Sequence, residues 1–230
     1  MQPATIQMVW KALRRGFLGP IWILRSGADI NTGILRPGTS HTVTADAIGM
    51  AITLTSTTNL IFGTQIMVPA TGVIVNNEMN DFSTPNAGNA FGYVPSPFNF
   101  IRPGKRTLSS VTPTIVEHIS DSTLYFVTGA AGGSRIITAT IQTLWQVLDR
   151  NCTSTQAILA SRLHDQLTPN QVQFEYSYNN QTVAFMKEEG HNVTWLPLAQ
   201  SVANVIRRHP NGTFEAAAEP RLFDSGGYAV

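Results

Sequence analysis

The sequence predicts a layered α+β domain, and three observations support this class. From His41 to Ser56, two β-prone stretches flank Asp46-Ala47-Ile48-Gly49, which is typical of a hairpin with glycine in its turn. Apolar residues recur at three- and four-residue spacings between Ile136 and Leu148, which indicates an amphipathic helix. The tail of the chain reads as strands, with a hairpin turn at Pro210-Asn211-Gly212. Helices therefore lie between and after strands that share one core.

The composition fits a compact globular domain with long loops. Of its 230 residues, 43% are hydrophobic and 13% are charged, and glycine (18) and proline (13) are frequent. This balance argues against a disordered segment. A formal net charge of +1 provides no electrostatic basis for binding nucleic acid or a membrane surface. The first residues offer no clear secretory signal, and no stretch reaches the ~18 consecutive apolar residues of a membrane helix.

The elements between the first hairpin and the helix follow in chain order. A strand segment is predicted over Ile66 to Val75, interrupted by Pro69 and Gly72. Residues 83–106 are dense in glycine and proline, which predicts a long loop of the kind that is functional or mobile. A short buried strand is predicted over Thr123 to Val127, running into a glycine-rich turn at residues 129–133.

The predicted helix should pack one apolar face on a sheet. That face consists of Ile137, Ile141, Leu144, Trp145 and Leu148.

Three further elements are predicted beyond this helix. Ser154 is expected to cap a second helix that continues to Leu163. Alternation of Val172, Phe174 and Tyr176 predicts a strand, and Thr182 to Glu188 a short helix that ends at Gly190.

The glycine cluster from Gly129 to Arg135 has two interpretations. It lacks the Gly-Lys-Ser/Thr ending of a phosphate-binding loop, so a tight turn without a ligand is one of them. The other is an oxyanion site, in which the amides of Gly132 and Gly133 near a helix N-terminus face negative charge. Both interpretations stay open on spacing alone.

Other polar clusters are equally ambiguous when each is taken alone. Asn77, Glu78 and Asp81 form either a solvated loop or a grip for an ammonium group. Ser109-Ser110 is either a polar turn or a pair of hydroxyls for a carboxylate. His41 is interpreted as a structural histidine, because it lies too close to Ser40 in sequence to form a nucleophile–base pair with it.

Taken together and in order, these clusters resemble the small, catalytic half of the γ-glutamyltranspeptidases (glutathione hydrolases), most closely those of fungi. The resemblance covers about Gly38 to Val230. The segments that carry it are Gly38-Thr39-Ser40-His41, Leu54 to Leu60, Val73 to Ser83, Leu108-Ser109-Ser110 with Pro113 to Val116, and Thr128 to Ile136.

The resemblance implies an N-terminal nucleophile hydrolase fold, a four-layer αββα sandwich of which this chain would hold the small-subunit half. It also implies self-cleavage between Gly38 and Thr39, which frees the α-amine of Thr39 to act as base while its hydroxyl attacks a γ-glutamyl amide. Glutathione is the expected donor, and the acyl-enzyme would pass to water or to an amino acid or dipeptide. We expect neither a metal nor a cofactor.

The same resemblance assigns roles to the remaining site residues. Thr57 would orient the amine of the nucleophile, and Gly132 and Gly133 would supply oxyanion amides. The substrate's α-amino and α-carboxylate ends would be held by Asn59, Glu78, Asp81, Ser109 and Ser110.

Two domains are predicted, residues 1–38 and residues 39–230. The first is interpreted as an atypical segment, a truncated or misannotated remnant of the pro-region or large subunit. The family cuts both subunits from one precursor, and the large one supplies an arginine for the substrate's α-carboxylate. Nothing in residues 1–38 maps onto that arginine, so we expect a separate large subunit to be needed. We also expect an exposed half-core and poor solubility for the isolated chain.

Four Asn-x-Ser/Thr sequons favour the secretory pathway, as an extracellular, cell-surface or vacuolar protein. The glycosylation candidates are Asn151, Asn180, Asn192 and Asn211. The single cysteine, Cys152, excludes an internal disulfide framework, and it is either a small buried hydrophobe or a partner for another chain.

Three functional hypotheses follow from the sequence. The chain is a γ-glutamyl hydrolase/transferase that acts with a large subunit, or an inactive fragment or pseudoenzyme that at most associates with another protein. The third, a secreted β-rich ligand-binding domain without chemistry, leaves the order of the motifs unexplained.

Overall fold

Two β-sheets pack face to face in the computed structural model, which describes residues 24–25, 38–89, 91–222 and 225–228. The first sheet is antiparallel and contains β1 (Leu24–Arg25), β2 (Thr39–Ala45) and β3 (Ala51–Thr57). Most of the segment predicted over residues 1–38 lies outside the described residues. The hydrophobic contact between the sheets consists of Val43, Ala45, Leu124, Val127 and Ile206.

The second sheet is the centre of the domain. Its strands are β6 (Thr114–Glu117), β7 (Leu124–Ala131), β11 (Val202–Arg208) and β12 (Phe214–Ala217). They are antiparallel, in the order β12-β11-β7-β6. Helices α1 (Arg135–Leu148) and α2 (Ser154–Leu159) cover its other face. The described residues therefore form three layers, and the α+β class is confirmed.

Smaller elements lie around these layers. Strands β4 (Met67–Val68) and β5 (Val73–Ile74) form a short hairpin where one strand segment was predicted. Strands β8 (Leu163–His164), β9 (Val172–Glu175) and β10 (Val193–Leu196) form a separate sheet next to α3 (Asn180–Glu188). Single 3₁₀ turns occur at Glu78–Asp81 and Pro97–Asn99, within or beside the long predicted loop.

The β2–β3 hairpin confirms the strongest local prediction. The Asp46 carboxylate accepts hydrogen bonds from the amides of Ile48 (3.1 Å) and Met50 (2.9 Å), and Gly49 adopts the left-handed φ of 94° that the turn requires. The strands pair from Ala45↔Ala51 back to Thr39↔Thr57. The hairpin is therefore longer than predicted, and it ends at two threonines.

His41 is a structural histidine at the interface between the two sheets. Its side chain is fully buried, with Nδ1 2.9 Å from Thr55 Oγ1 and Nε2 3.1 Å from Thr53 Oγ1. Because the Thr53 hydroxyl donates to the Thr128 carbonyl, it can only accept from His41, which places the ring proton on Nε2. Burial lowers the pKa of His41 to about 4, so the ring is neutral at physiological pH.

The sequence predicts a single turn over residues 129–133, but the structure does not form one there. Strand β7 continues through Gly129 to Ala131, and only Gly132 and Gly133 turn into the helix. A Cβ on Gly129 would lie 2.2 Å from the His41 ring, so glycine is required for the ring to pack against the strand. The strand extends because the inner faces of both neighbouring layers cover it.

Helix α1 buries a different face from the one predicted. Its buried residues are Ile136, Ala139, Thr140, Thr143 and Val147, whereas only Leu144 of the predicted face packs against the core.

The reason for this difference lies in side-chain size and hydrogen bonding. Thr140 and Thr143 donate their hydroxyls to carbonyls one turn earlier, at 2.9 and 2.8 Å, so they can be buried without losing hydrogen bonds. Small side chains also let the helix approach β7 closely. The larger apolar residues are left as an exposed stripe, each 42–57% accessible, formed by Ile137, Ile141, Trp145 and Leu148.

The second helix is shorter than predicted. Thr153, not Ser154, is its N-cap, in a reciprocal capping box with Gln156. The helix ends at Leu159, and Leu163 belongs to β8. Cys152 is half-buried and packs against the main core, with its sulfur 3.5 Å from the Gln146 side-chain oxygen. Among the described helices, none is long and apolar enough to cross a membrane.

A buried ionic network ties the end of α2 to β9 and to the tail of the chain. Glu219 pairs with Arg162 and with Arg221, at 2.7 Å each, and Arg221 also pairs with Glu175 at 2.9 Å. All four side chains are at most 7% exposed. Burial lowers the pKa of Arg221, but the Glu219 and Glu175 carboxylates outweigh that effect and raise it above its ordinary value. Sequence reasoning did not identify this network.

Candidate active site

The open ends of β2 and β3 bring two threonines together. Thr39 is the first residue of β2 and Thr57 the last residue of β3, and they form a cross-strand pair. Their hydroxyl oxygens lie 2.8 Å apart. The Thr57 hydroxyl also accepts a hydrogen bond from the Asn59 amide at 2.8 Å, which leaves it one acceptor position and one proton for Thr39.

A tight turn after β3 positions Asn59. This residue has a φ of 70°, which is uncommon for a residue other than glycine, and its side chain is 6% exposed. Asn77 holds the turn, because its carbonyl accepts from the Asn59 side chain and its amide oxygen accepts from the Leu60 amide, both at 3.0 Å. Asn77 is therefore a structural clamp for Asn59.

Two carboxylates follow in the 3₁₀ turn that begins at Glu78. Both Glu78 carboxylate oxygens are buried, and neither has a hydrogen-bond donor among the residues that the structure describes. Burial raises the pKa of Glu78 to about 7, and the adjacent Asp81 carboxylate raises it further, because it can accept the proton of a neutral Glu78 and repels a charged one. A carboxylate with buried oxygens beside a second carboxylate is a site where an ammonium group would be stabilised.

The turn from β7 into α1 supplies a different kind of group. Gly132 and Gly133 have φ values of 131° and 63°, which only glycine adopts readily. A Cβ on Gly133 would lie 2.6 Å from the Phe91 ring, and one on Gly132 would lie 2.6 Å from the Gln200 carbonyl. Both positions therefore require glycine for close packing as well as for backbone conformation.

One cavity of about 420 Å³ gathers most of the predicted site. Seven predicted residues line it, namely Thr39, Thr57, Asn59, Asp81, Ser109, Ser110 and Gly133. Glu78 and Gly132 do not line it; Glu78 contacts Asp81, and Gly132 precedes Gly133 in the turn. This size accommodates an amino-acid-sized substrate.

The long loop contributes lining residues that sequence reasoning did not name. Asn99 is buried and donates to the Asp81 carbonyl at 2.7 Å, which fixes the end of the carboxylate turn. Asn89 accepts from the amides of Phe91 (3.0 Å) and Tyr93 (3.1 Å), which shapes the loop beside Gly133. The density of glycine and proline marked this stretch, but it could not indicate which side chains face the cavity.

The charge of this cavity limits the chemistry it can support alone. Its lining, within the described residues, contains a carboxylate and several hydroxyls and amides but no lysine, arginine or histidine. His41, the nearest histidine in sequence to Thr39, is buried and neutral and bonds to other threonines. No group of metal-binding side chains was found in the part of the chain that is described. Among the described residues the Thr39 hydroxyl is hydrogen-bonded to Thr57 and not to a carboxylate or an imidazole, so we expect its base to come from the backbone or from another chain.

Comparison with known proteins gives consistent results. A family model described as Gamma-glutamyltranspeptidase matches residues 24–228. The chain is 55% identical over 194 residues to a "Glutathione hydrolase proenzyme" of Arthroderma benhamiae, covering 84% of this chain and 33% of that protein. It is 45% identical over 191 residues to a "Glutathione hydrolase" of Aspergillus flavus, covering 83% and 32%. The chain thus spans about a third of the length of these relatives.

A solved structure supports the same conclusion. The fold is similar to that of a threonine-to-alanine variant of γ-glutamyltranspeptidase from Helicobacter pylori, with a TM-score of 0.74 and 32% identity. The match covers 79% of this chain and 99% of that one. The N-terminal nucleophile hydrolase fold expected from the sequence is confirmed.

Proposed function

The chain belongs to the γ-glutamyltranspeptidase family, and on that basis we propose that it carries the catalytic part of a γ-glutamyl hydrolase/transferase with Thr39 as nucleophile. The observation that carries the proposal is the pairing of Thr39 with Thr57 at 2.8 Å, at the wall of a cavity that most of the other predicted site residues also line. The donor is glutathione or another γ-glutamyl amide.

The reaction begins with a self-cleavage between Gly38 and Thr39. In the uncleaved chain the nitrogen of Thr39 is an amide and cannot act as a base. Cleavage converts it into an α-amine, which supports attack by the neighbouring hydroxyl as in other N-terminal threonine enzymes. The similarity to a protein named a proenzyme agrees with such a step.

In the mature site the Thr39 hydroxyl carries the γ-glutamyl group from the donor to the acceptor. The Thr39 hydroxyl oxygen attacks the γ-glutamyl carbonyl, the amide carbon–nitrogen bond breaks, and the departing amine takes the proton that the hydroxyl loses, which leaves a γ-glutamyl ester on Thr39. Thr57 holds the nucleophile through its hydroxyl. The amides of the Gly132–Gly133 turn stabilise the negative charge that develops on the carbonyl oxygen. Water or the amine of an amino acid or dipeptide then takes the γ-glutamyl group and releases the enzyme.

The α-ammonium and the α-carboxylate of the glutamyl group bind to different sets of side chains. The α-ammonium lies against Asn59 and the Glu78–Asp81 pair, because these provide a carbonyl and two carboxylates without an internal cation. The α-carboxylate lies against the hydroxyls of Ser109 and Ser110, which line the same cavity.

Glutamyl binding is expected to strengthen as the pH rises through about 7. The raised pKa means that Glu78 is protonated below that value, and an ammonium ligand favours the ionised form. The inhibition constant of free glutamate, which binds without reacting, should therefore be about tenfold larger at pH 6 than at pH 8.

Variants of Glu78 test this dependence. Glu78→Gln should weaken glutamate binding and flatten its pH profile, whereas Glu117→Gln, an exposed carboxylate far along the chain, should keep the wild-type profile. An unchanged pH slope in Glu78→Gln would show that another group is responsible.

A large subunit of the same family is the partner that we propose. Two apolar surfaces support it: the outer face of the first sheet, where Ile52 and Leu54 are more than half exposed, and the exposed stripe of α1. An αββα sandwich has a further helical layer over the outer face of the first sheet, whereas the stripe on α1 lies on the outside of the helical layer that is already present and would be a second contact surface. The partner would also supply the cation for the α-carboxylate that the described lining does not contain.

One observation favours the alternative of an inactive fragment or pseudoenzyme. Without a cationic side chain in its described lining, the cavity alone holds a glutamyl carboxylate only through hydroxyls. The chain would then associate with another protein through its apolar faces and turn over no substrate.

The deciding experiment is to produce the 230-residue chain alone and together with the large subunit of a fungal relative. Intact mass shows whether a polypeptide beginning at Thr39 forms, and a γ-glutamyl anilide reports turnover. We expect both with the large subunit present. If neither the cleaved polypeptide nor anilide turnover is found in either preparation, the proposed function is wrong and the pseudoenzyme hypothesis remains.

We also propose that the protein passes through the secretory pathway. All four sequon asparagines lie at exposed positions, where a glycosyltransferase can reach them. Digestion of the natural protein with an N-glycosidase should lower its mass, and an unchanged mass would argue against this localisation.

A further inference from the structure

The carbonyl oxygen of Gly38, which belongs to the bond that self-cleavage would break, receives two hydrogen bonds from one residue. The Thr58 amide donates to it at 3.0 Å, and the Thr58 hydroxyl donates to it at 3.3 Å. The hydrogen bond from the Thr58 amide continues the β2–β3 ladder by one position beyond the Thr39↔Thr57 pair, as in any pair of antiparallel strands. The hydrogen bond from the Thr58 hydroxyl is an additional one, which the strand ladder does not require.

The surrounding backbone holds this arrangement in place. The Gly38 amide donates to the Asn59 carbonyl at 2.9 Å, and the Asn77 amide donates to the Thr58 carbonyl at 3.2 Å. Gly38 itself permits the close approach, because a Cβ there would lie 2.3 Å from the Thr58 hydroxyl oxygen and 2.2 Å from the Leu60 carbonyl oxygen. The two donors are thus fixed on the carbonyl before any reaction.

We propose that Thr58 is a catalytic residue of the self-cleavage, in which its amide and hydroxyl stabilise the oxyanion formed at Gly38. The inference rests on the proposed function, since it concerns the maturation of the same site. Thr58 does not line the cavity in which substrate would bind, whereas the Gly132–Gly133 turn reaches it. The two reactions therefore use separate oxyanion sites.

The chemical step balances without any added group. The Thr39 hydroxyl oxygen forms a bond to the Gly38 carbonyl carbon, whose π electrons move onto the carbonyl oxygen. The carbonyl reforms as the carbon–nitrogen bond breaks, and the proton lost by the hydroxyl ends on the departing amine. Water hydrolyses the resulting ester, leaving a carboxylate on Gly38 and a free α-amine and hydroxyl on Thr39.

The hydroxyl of Thr58 matters most when charge develops. In the uncleaved chain its single proton is shared, because the Leu60 carbonyl lies at 3.1 Å and the Gly38 carbonyl at 3.3 Å. An oxyanion is a far stronger acceptor than a carbonyl, so the proton turns to Gly38 in the transition state. A donor that strengthens in the transition state accelerates the step.

The test compares Thr58→Val, which keeps the shape and the amide but removes the hydroxyl, with Thr58→Ser, which keeps the hydroxyl. Each is produced in the form in which the wild-type chain matures, alone or with the large subunit, and intact mass is followed over time. Removing one oxyanion donor slows catalysis by roughly tenfold to a thousandfold in comparable sites. We expect Thr58→Val to lie in the lower part of that range and Thr58→Ser to cleave within a few-fold of wild type.

Hydroxylamine separates the two halves of the reaction. It cleaves an ester but cannot form one, so it accelerates maturation only after the acyl shift has occurred. Because Thr58 acts in the shift, hydroxylamine should not restore the rate of Thr58→Val. Thr44→Val, on the same hairpin but away from Gly38, is the control for a general effect of losing a threonine hydroxyl.

The outcomes distinguish this inference from the proposed function. If the wild-type chain and Thr58→Val cleave equally fast, the proposed role of Thr58 is wrong, but the proposed self-cleavage stands. A slow Thr58→Val that hydroxylamine restores also overturns it, since the defect would then lie in ester hydrolysis. Wild-type chain that never cleaves at Gly38–Thr39 overturns both.

Discussion

Replacing Thr39 with alanine should abolish both the self-cleavage and the turnover of γ-glutamyl substrates. In the proposed mechanism the hydroxyl of Thr39 is the attacking group in both steps, and the neighbouring hydroxyl of Thr57 is held by the Asn59 amide. Loss of a nucleophile of this type lowers turnover by roughly ten-thousandfold or more. Intact mass should show the uncleaved chain, and the anilide assay with the large subunit should fall to background.

Two control variants give this result its meaning. Thr39→Ser retains a hydroxyl and should cleave and turn over substrate at a reduced rate. Thr44→Ala removes a threonine from the same strand without touching the Thr39–Thr57 pair, and it should mature normally. If Thr39→Ala were cut between residues 38 and 39, the cleavage would come from another protease. If it turned over the anilide, Thr39 could not be the nucleophile.

The proximity of the proposed site residues could be anticipated from the sequence better than the packing around them. Residues on a hairpin have a fixed two-residue period, so the strand ends at Thr39 and Thr57 could be anticipated to lie close once the turn at Gly49 was recognised. The carboxylate turn and the serine pair lie further along the chain, at residues 78–81 and 109–110, and only the family resemblance connected them with these threonines. What joins them is one cavity, which the structure describes.

The predicted buried face was wrong for helix α1, in which two faces carry apolar side chains. Helix α1 has a stripe of large side chains and a stripe of small ones, and hydrophobicity alone favours the large stripe as the buried face. The close approach to β7 instead selects the small residues, with Thr140 and Thr143 satisfied within the helix. Periodicity identifies a helix, but it does not show how many layers the complete fold contains.

Long-range contacts also escaped sequence reasoning, for a different reason. Asn99 and the ionic pairs join residues that are distant along the chain and carry no local pattern. A charged residue in a loop is most often solvated, so Arg162 and Glu219 gave no reason to expect burial. Their pairing became visible only when the chain was folded.

Replacing Glu219 with glutamine should destabilise the fold more than any other single change considered. Glu219 is fully buried and neutralises the Arg162 guanidinium, whose other described partners are the Ile158 and Ser201 carbonyls and the Ser201 hydroxyl. The substitution conserves shape but leaves two buried guanidinium groups with the single carboxylate of Glu175. Breaking one side of a buried pair costs about 3–5 kcal/mol, because the remaining charge is uncompensated. For a domain of this size the melting temperature should fall by about 10 °C.

The design of this test separates charge from general loss of contacts. Glu188→Gln, at an exposed position on α3, should change the free energy of unfolding by less than about 0.5 kcal/mol. The double variant Arg162→Met with Glu219→Gln removes both charges, so it should be more stable than Glu219→Gln alone if the uncompensated cation is the cause. A double variant that is less stable than either single one would mean that the hydrogen bonds of Arg162 to the Ile158 and Ser201 carbonyls, rather than its charge balance, hold α2 against the central sheet.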